Sequence, residues 1–145
     1  MTGRGPGRRT LNESVLRHAA ERLGTLTLVE TVSVFPSEKS ESIVARLDGQ
    51  YYPESVESVE VEVRAYENDD FHVTYREEWP GEQWMCRWDR HENPHSEREH
   101  FHEPPSATTG DAVDCSFSGD FDAVLNSILD EVDDRLGEVW EETNP

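Results

Sequence analysis

The chain has 145 residues, 34% of them hydrophobic and 31% charged, and its 32 Asp and Glu against 13 Lys and Arg give a net charge of −19. That length suits one domain with one core, and that charge excludes a generally basic nucleic-acid binder or a protein drawn to an anionic membrane. No apolar run reaches the length of a membrane span and the opening MTGRGPGRRT lacks the apolar middle of a signal peptide, so a soluble cytoplasmic protein without a membrane partner is expected.

Of the 13 basic residues, twelve are Arg and only Lys39 is Lys. So many carboxylates repel one another in dilute buffer, where the Debye length is about 30 Å at 0.01 M salt; at about 1 M it falls to about 3 Å and the repulsion largely disappears. The composition resembles that of proteins from extremely halophilic archaea. Molar salt also weakens the counterion-release contribution to phosphate binding, so any RNA handling would use a local pocket and not a basic surface. Cys86 and Cys115 do not make a disulfide framework in an intracellular protein and read as two thiols.

Residues 1–9 hold three Gly, a Pro and three Arg without periodicity and read as a flexible basic tail ahead of one α+β domain over residues 10–143. Thr10-Leu11-Asn12-Glu13 has capping-box spacing, with Thr10 as the cap. Leu11, Val15, Leu16, Ala19 and Leu23 then recur at helical spacing until Gly24, which predicts a helix over 11–23. A strand is expected from Leu26 to Phe35, stopped by Pro36-Ser37. Ile43, Ala45 and Leu47 alternate up to Asp48-Gly49, a hairpin dipeptide.

Val59, Val61, Val63 and Ala65 alternate with Glu60, Glu62, Arg64 and Tyr66, giving one wet face. After Asn68-Asp69-Asp70 comes the alternating run from Phe71 to Trp79. Pro80-Gly81 turns the chain into a strand with Trp84, Cys86 and Trp88 on its apolar side. Short connections make this an antiparallel meander of four to five strands. From Phe121 to Trp140 the apolar residues keep a 3.6-residue rhythm, so the sheet is expected to be flanked by an N-terminal and a C-terminal helix.

Between the last strand and that helix, residues 89–111 read as a long histidine-rich loop, and such loops are commonly functional or disordered. Four of the six histidines, His91, His95, His100 and His102, lie here, with Arg87, Arg90 and Arg98 interleaved and Asp89 at the entrance. Three readings stay open. Phosphodiester cleavage without metal needs a base, an acid and a cation, and imidazole and guanidinium supply them. A Zn or Ni site is the second, because His100-x-His102 on an extended segment projects both rings one way, with His91, His95 or Asp89 to complete it. In the third, surface histidines merely pair with the abundant carboxylates.

His18 and His72 read as ordinary surface histidines, although His72 would face the loop if the sheet carries the site. Trp79, Trp84, Trp88 and Phe101 are more simply core than base-stacking platforms, and Asp130 to Asp134 is more simply a solvated helix face than a metal patch. No phosphate-binding glycine loop or serine-hydrolase elbow is present.

The run Arg87-Trp88-Asp89-Arg90-His91 through Asn93-Pro94-His95 to His100-Phe101-His102, then a polar gap and a closing helix from Phe121, resembles the TumE-like toxins, closely over 84–102 and in layout over 26–140. Arg90 stands where that family often has Asn. The resemblance implies the toxin component of a toxin–antitoxin pair, encoded beside an antitoxin with a helix-turn-helix domain. The leading expectation is thus a metal-independent ribonuclease: His95, His100 and His102 share acid–base work, Arg87 and Arg98 hold phosphate, and Asp89 orients a histidine. No cofactor is expected on that reading. The alternative is a non-catalytic module that binds Zn or Ni through His91, His95, His100 and His102, or that engages a regulator.

Overall fold

The computed structural model describes residues 10–91, 99–108 and 112–143. The basic segment 1–9, His95 and Arg98 lie outside the described residues. Helix α1 spans Glu13–Gly24, and its cap is Asn12, not Thr10: the Asn12 side chain accepts the Val15 amide at 3.1 Å. Thr10 is already committed elsewhere, its carbonyl accepting the Glu67 amide at 2.8 Å while Leu11 bridges Tyr66. That contact ties the entry of α1 to the sheet. Leu16, Ala19 and Leu23 form its buried stripe.

Seven strands follow, not four to five: β1 Val29–Val34, β2 Ile43–Leu47, β3 Ser58–Ala65, β4 Phe71–Trp79, β5 Glu82–Arg90, β6 Glu99–His102 and β7 Ala112–Asp114. Their order in the sheet is their order in the chain, all neighbours antiparallel. The two additional strands lie at the far edge, β6 within the region expected to be loop and β7 just past its end. Glu99–His102 has Phe101 as its sole large apolar residue, and β7 is a three-residue edge with Val113 and Asp114 exposed. Neither carries a run of apolar residues, the signal on which the strand count rested. Asp48-Gly49 is likewise no hairpin. Asp48 accepts the Gln50 amide at 3.0 Å and starts a 3₁₀ turn over Gly49–Tyr51, so β2 and β3 are joined by a longer connection. At Pro80-Gly81 the turn is tight, with Gly81 at φ +75° where a Cβ would be strained.

Helix α2, Phe121–Thr143, buries Val124, Leu125, Ile128, Val132 and Val139. Both helices pack on one face of the sheet, where Leu16 and Leu23 of α1 join Ile43, Val61, Val63, Val73, Ile128 and Val132 in one core. The arrangement is α+β, with the helices covering a single sheet face. A buried polar network crosses this core. Glu77 of β4, fully buried, accepts from Arg135 of α2 at 2.8 Å on each carboxylate oxygen, from Tyr75 at 2.6 Å and from Trp79 at 2.8 Å. Arg135 also lies 3.6 Å above the Trp84 ring. Among the described residues no helix is long and apolar enough to cross a membrane.

Candidate functional site

Strand alternation sends Phe71, Val73 and Tyr75 toward the helices, and therefore sends His72, Thr74 and Arg76 to the open face. The same parity places Arg87 and Asp89 of β5 and His100 and His102 of β6 on that open face. Antiparallel register then lines them up. His72 faces Asp89 and Asp89 faces His100, while in the next row Thr74 faces Arg87 and Arg87 faces His102. An open sheet face is normally wet, yet Asp89, His100 and His102 are buried, at 1%, 5% and 3% exposure. Polar residues withdrawn from water on the face that should be solvated are the mark of a site here.

Asp89 is its centre. Its Oδ1 lies 2.8 Å from His72 Nδ1, and its Oδ2 lies 2.8 Å from His102 Nε2. Arg87 Nε donates to both oxygens, at 3.1 and 2.9 Å. Burial alone would lift the Asp89 carboxyl. The hydrogen bond and charge of His72, with the Arg87 guanidinium, outweigh burial and hold its pKa below the usual aspartate value.

The carboxylate fixes the His72 ring. Since it only accepts, His72 carries its hydrogen on Nδ1, which leaves Nε2 as the nitrogen pointing away from Asp89. His102 donates through Nδ1 to the Thr108 carbonyl at 3.2 Å, and its Nε2 also lies 3.2 Å from Arg87 Nη2. The imidazoles form a chain of contacts: His72 to His91 at 5.7 Å between centroids, His91 to His100 at 5.5 Å and His100 to His102 at 6.3 Å. His100 Nε2 further lies 3.8 Å from Asp114 on β7. Tyr66 closes the group edge-on to His72 at 6.2 Å.

Of the residues expected from the sequence, Arg87, Asp89, His91, His100 and His102 come together. Arg90 does not. It belongs to the helix-covered face, where it bonds Glu99 at 2.7 Å and the Ser118 carbonyl at 2.6 Å and lies over Phe71, pinning the lead-in to α2. Trp88 and Phe101 also face the helices, in contact with each other at 5.5 Å, and so stand away from the histidines. The residue underrated in the sequence is His72. Among the described residues no set of three or more His, Cys, Asp or Glu is arranged to hold a metal ion, and Cys86 and Cys115 are both free thiols.

No curated protein and no solved structure shows significant similarity to the chain. A family model, Toxin TumE, matches residues 17–136, more than four fifths of the chain, running from within α1 through most of α2 and including every described member of the Asp89 cluster. The chain belongs to the Toxin TumE family, the toxin side of a toxin–antitoxin pair.

Proposed function

We propose that this toxin cleaves RNA without a metal, using the Asp89 cluster on the open sheet face. The observation that carries the reading is a buried carboxylate hydrogen-bonded to the His72 imidazole and the Arg87 guanidinium, with a second imidazole, His102, 2.8 Å from its other oxygen. Asp89 holds His72 by Nδ1, so His72 Nε2 takes the proton from a ribose 2′-hydroxyl. The freed oxygen bonds to phosphorus, the bond from phosphorus to the 5′ oxygen breaks, and His91, in ring contact with His72, returns a proton to that leaving oxygen. Arg87, part-exposed beside Asp89, offers its guanidinium to the charge that builds on the phosphoryl oxygens. Both nitrogens of His102 are engaged, so in this scheme it positions Asp89 and Arg87 instead of exchanging protons. His95 and Arg98 complete the scheme as further proton-transfer and phosphate-holding groups. The acidic, Lys-poor composition supports work in a salt-rich archaeal cytoplasm, and the partner antitoxin, on the same reading, carries a helix-turn-helix domain.

The test is expression without the antitoxin, paired with incubation of purified toxin and RNA in molar KCl and a chelator. Growth arrest and RNA fragments ending in 2′,3′-cyclic phosphate are expected from the parent, and neither from His72→Ala or Asp89→Asn. Equal toxicity of parent and variants, or cleavage that requires Zn or Ni, would overturn the proposal.

A further inference from the structure

The opposite side of the sheet carries a feature that the Asp89 cluster does not use. Between α2 and strands β5 and β6 lies a groove of about 280 Å³ with Trp84, Trp88 and Phe101 in its walls and Glu131, Asp134 and Glu138 along its α2 side. The volume is just under the roughly 300 Å³ at which small-molecule pockets begin, which suits one long side chain better than a whole metabolite. Its chemistry is that of a cation site. Aromatic faces attract a guanidinium, and carboxylates beside them hold its N–H groups. The molecule already shows this affinity internally, because Arg135, itself part of the groove wall, rests on Trp84 at 3.6 Å and lies 3.5 Å from Glu138, which leaves Trp88, Phe101, Glu131 and Asp134 to an incoming cation. Glu131 accepts from Trp88 Nε1 at 3.1 Å. Enclosure of its carboxyl and the neighbouring Asp134 raise its pKa, so a cation entering the groove would relieve a carboxylate short of positive charge.

We infer that this groove receives an arginine side chain from a basic segment of the antitoxin, on the face of the sheet opposite the Asp89 cluster. A toxin of net charge −19 selects a cationic partner, and here acidic charge coincides with aromatic surface. A segment seated there leaves the histidine face uncovered. The inference rests on the toxin–antitoxin pairing and is independent of RNA cleavage.

Synthetic peptides that together cover the antitoxin are titrated into the full-length toxin at constant KCl, while the tryptophan indole N–H signals and those of His72 and His91 are followed by NMR. An arginine-bearing peptide is expected to shift the Trp84 and Trp88 signals and leave His72 and His91 in place. Its citrulline version should bind about tenfold more weakly, and so should the intact peptide to the triple variant Glu131→Gln, Asp134→Asn, Glu138→Gln. Should the triple variant not fold, Asp134→Asn with the citrulline series gives the same reading. Shifts confined to the histidine face, equal affinity of the citrulline peptide, or undiminished binding to the charge-neutral variants would each overturn the inference.

Discussion

Asp89 Oδ1 and His72 Nδ1 meet at 2.8 Å across β4 and β5, and the ring is part-exposed while the carboxylate is buried. His102 approaches the other oxygen at the same distance but is itself buried. Loss of either histidine should therefore cost stability, but only His72 should carry proton transfer. His72→Ala is expected to lower RNA cleavage by about 10²–10⁴ and, by taking a hydrogen bond from the buried Asp89 carboxylate, to cost about 1–3 kcal/mol of stability. His102→Ala removes a buried ring that packs beside the Asp89 carboxylate and is expected to lower stability while leaving cleavage less affected. Cleavage rates set beside thermal melts of both variants check this split, and a His72→Ala protein as active as the parent would remove that residue from the chemistry.

A carboxyl held below its usual pKa in the fold makes stability depend on pH. Burial opposes the shift at Asp89, but His72 and Arg87 prevail. Such a group adds stability above its unfolded value, near 3.8, and that contribution is lost as pH falls through the lower folded value. Parent and Asp89→Asn should thus differ most near neutrality, by about 3–5 kcal/mol for a broken buried pair, and converge as the pH drops below that unfolded value. Urea unfolding midpoints measured across this range test the sign; a gap that widens in acid would contradict it.

The register that creates the site was legible in part. Pro80-Gly81 as a two-residue turn pairs Trp79 with Glu82, and counting back along both strands brings His72 opposite Asp89 and Thr74 opposite Arg87. His72 was therefore available from turn chemistry plus alternation. The β5–β6 pairing was not, because the connection between Arg90 and Glu99 is too long for its length to fix a register. Strand β6 itself was hidden for a physical reason: its inner residues, Glu99 and Phe101, give little apolar signal, and its buried residues are the two histidines. The same limit applied to Glu77, whose place in an alternating strand looked apolar by position and is filled by a carboxylate that only Arg135, 58 residues away, explains.

That Glu77–Arg135 pair is the most heavily partnered ion pair in the core among the described residues. Tyr75 and Trp79 donate to the same carboxylate, and Tyr52 shares a 2.9 Å hydrogen bond with Tyr75. Removing one partner leaves the other charge buried, so Glu77→Ala and Arg135→Ala should each destabilise by about 3–5 kcal/mol. Because either change removes the same interaction, the double variant should lose much less than the two losses combined. A double-mutant cycle by urea unfolding measures the coupling, and simple additivity would show that the two residues act separately.

Helix α2 concentrates the chain's acidity. Asp130, Glu131, Asp133, Asp134, Glu138, Glu141 and Glu142 share it with Arg135, and its last turn has no basic residue to meet the negative end of the helix. Asp134 stands three or four positions from Asp130, Glu131 and Glu138, and each like-charge pair at that spacing costs about 0.2–0.5 kcal/mol in dilute buffer. Salt should therefore stabilise the protein, with the melting temperature rising steeply from about 0.1 M to above 1 M KCl. Asp134→Asn removes three repulsions at once. It should raise the melting temperature by about 2–4 °C at low salt, the equivalent of about 1 kcal/mol for a chain of this size, and leave it unchanged in molar KCl, where the repulsion is already screened. Thermal melts of parent and variant along a KCl series decide the point: a gain that persists at high salt would assign the effect to local packing or helix propensity instead of charge.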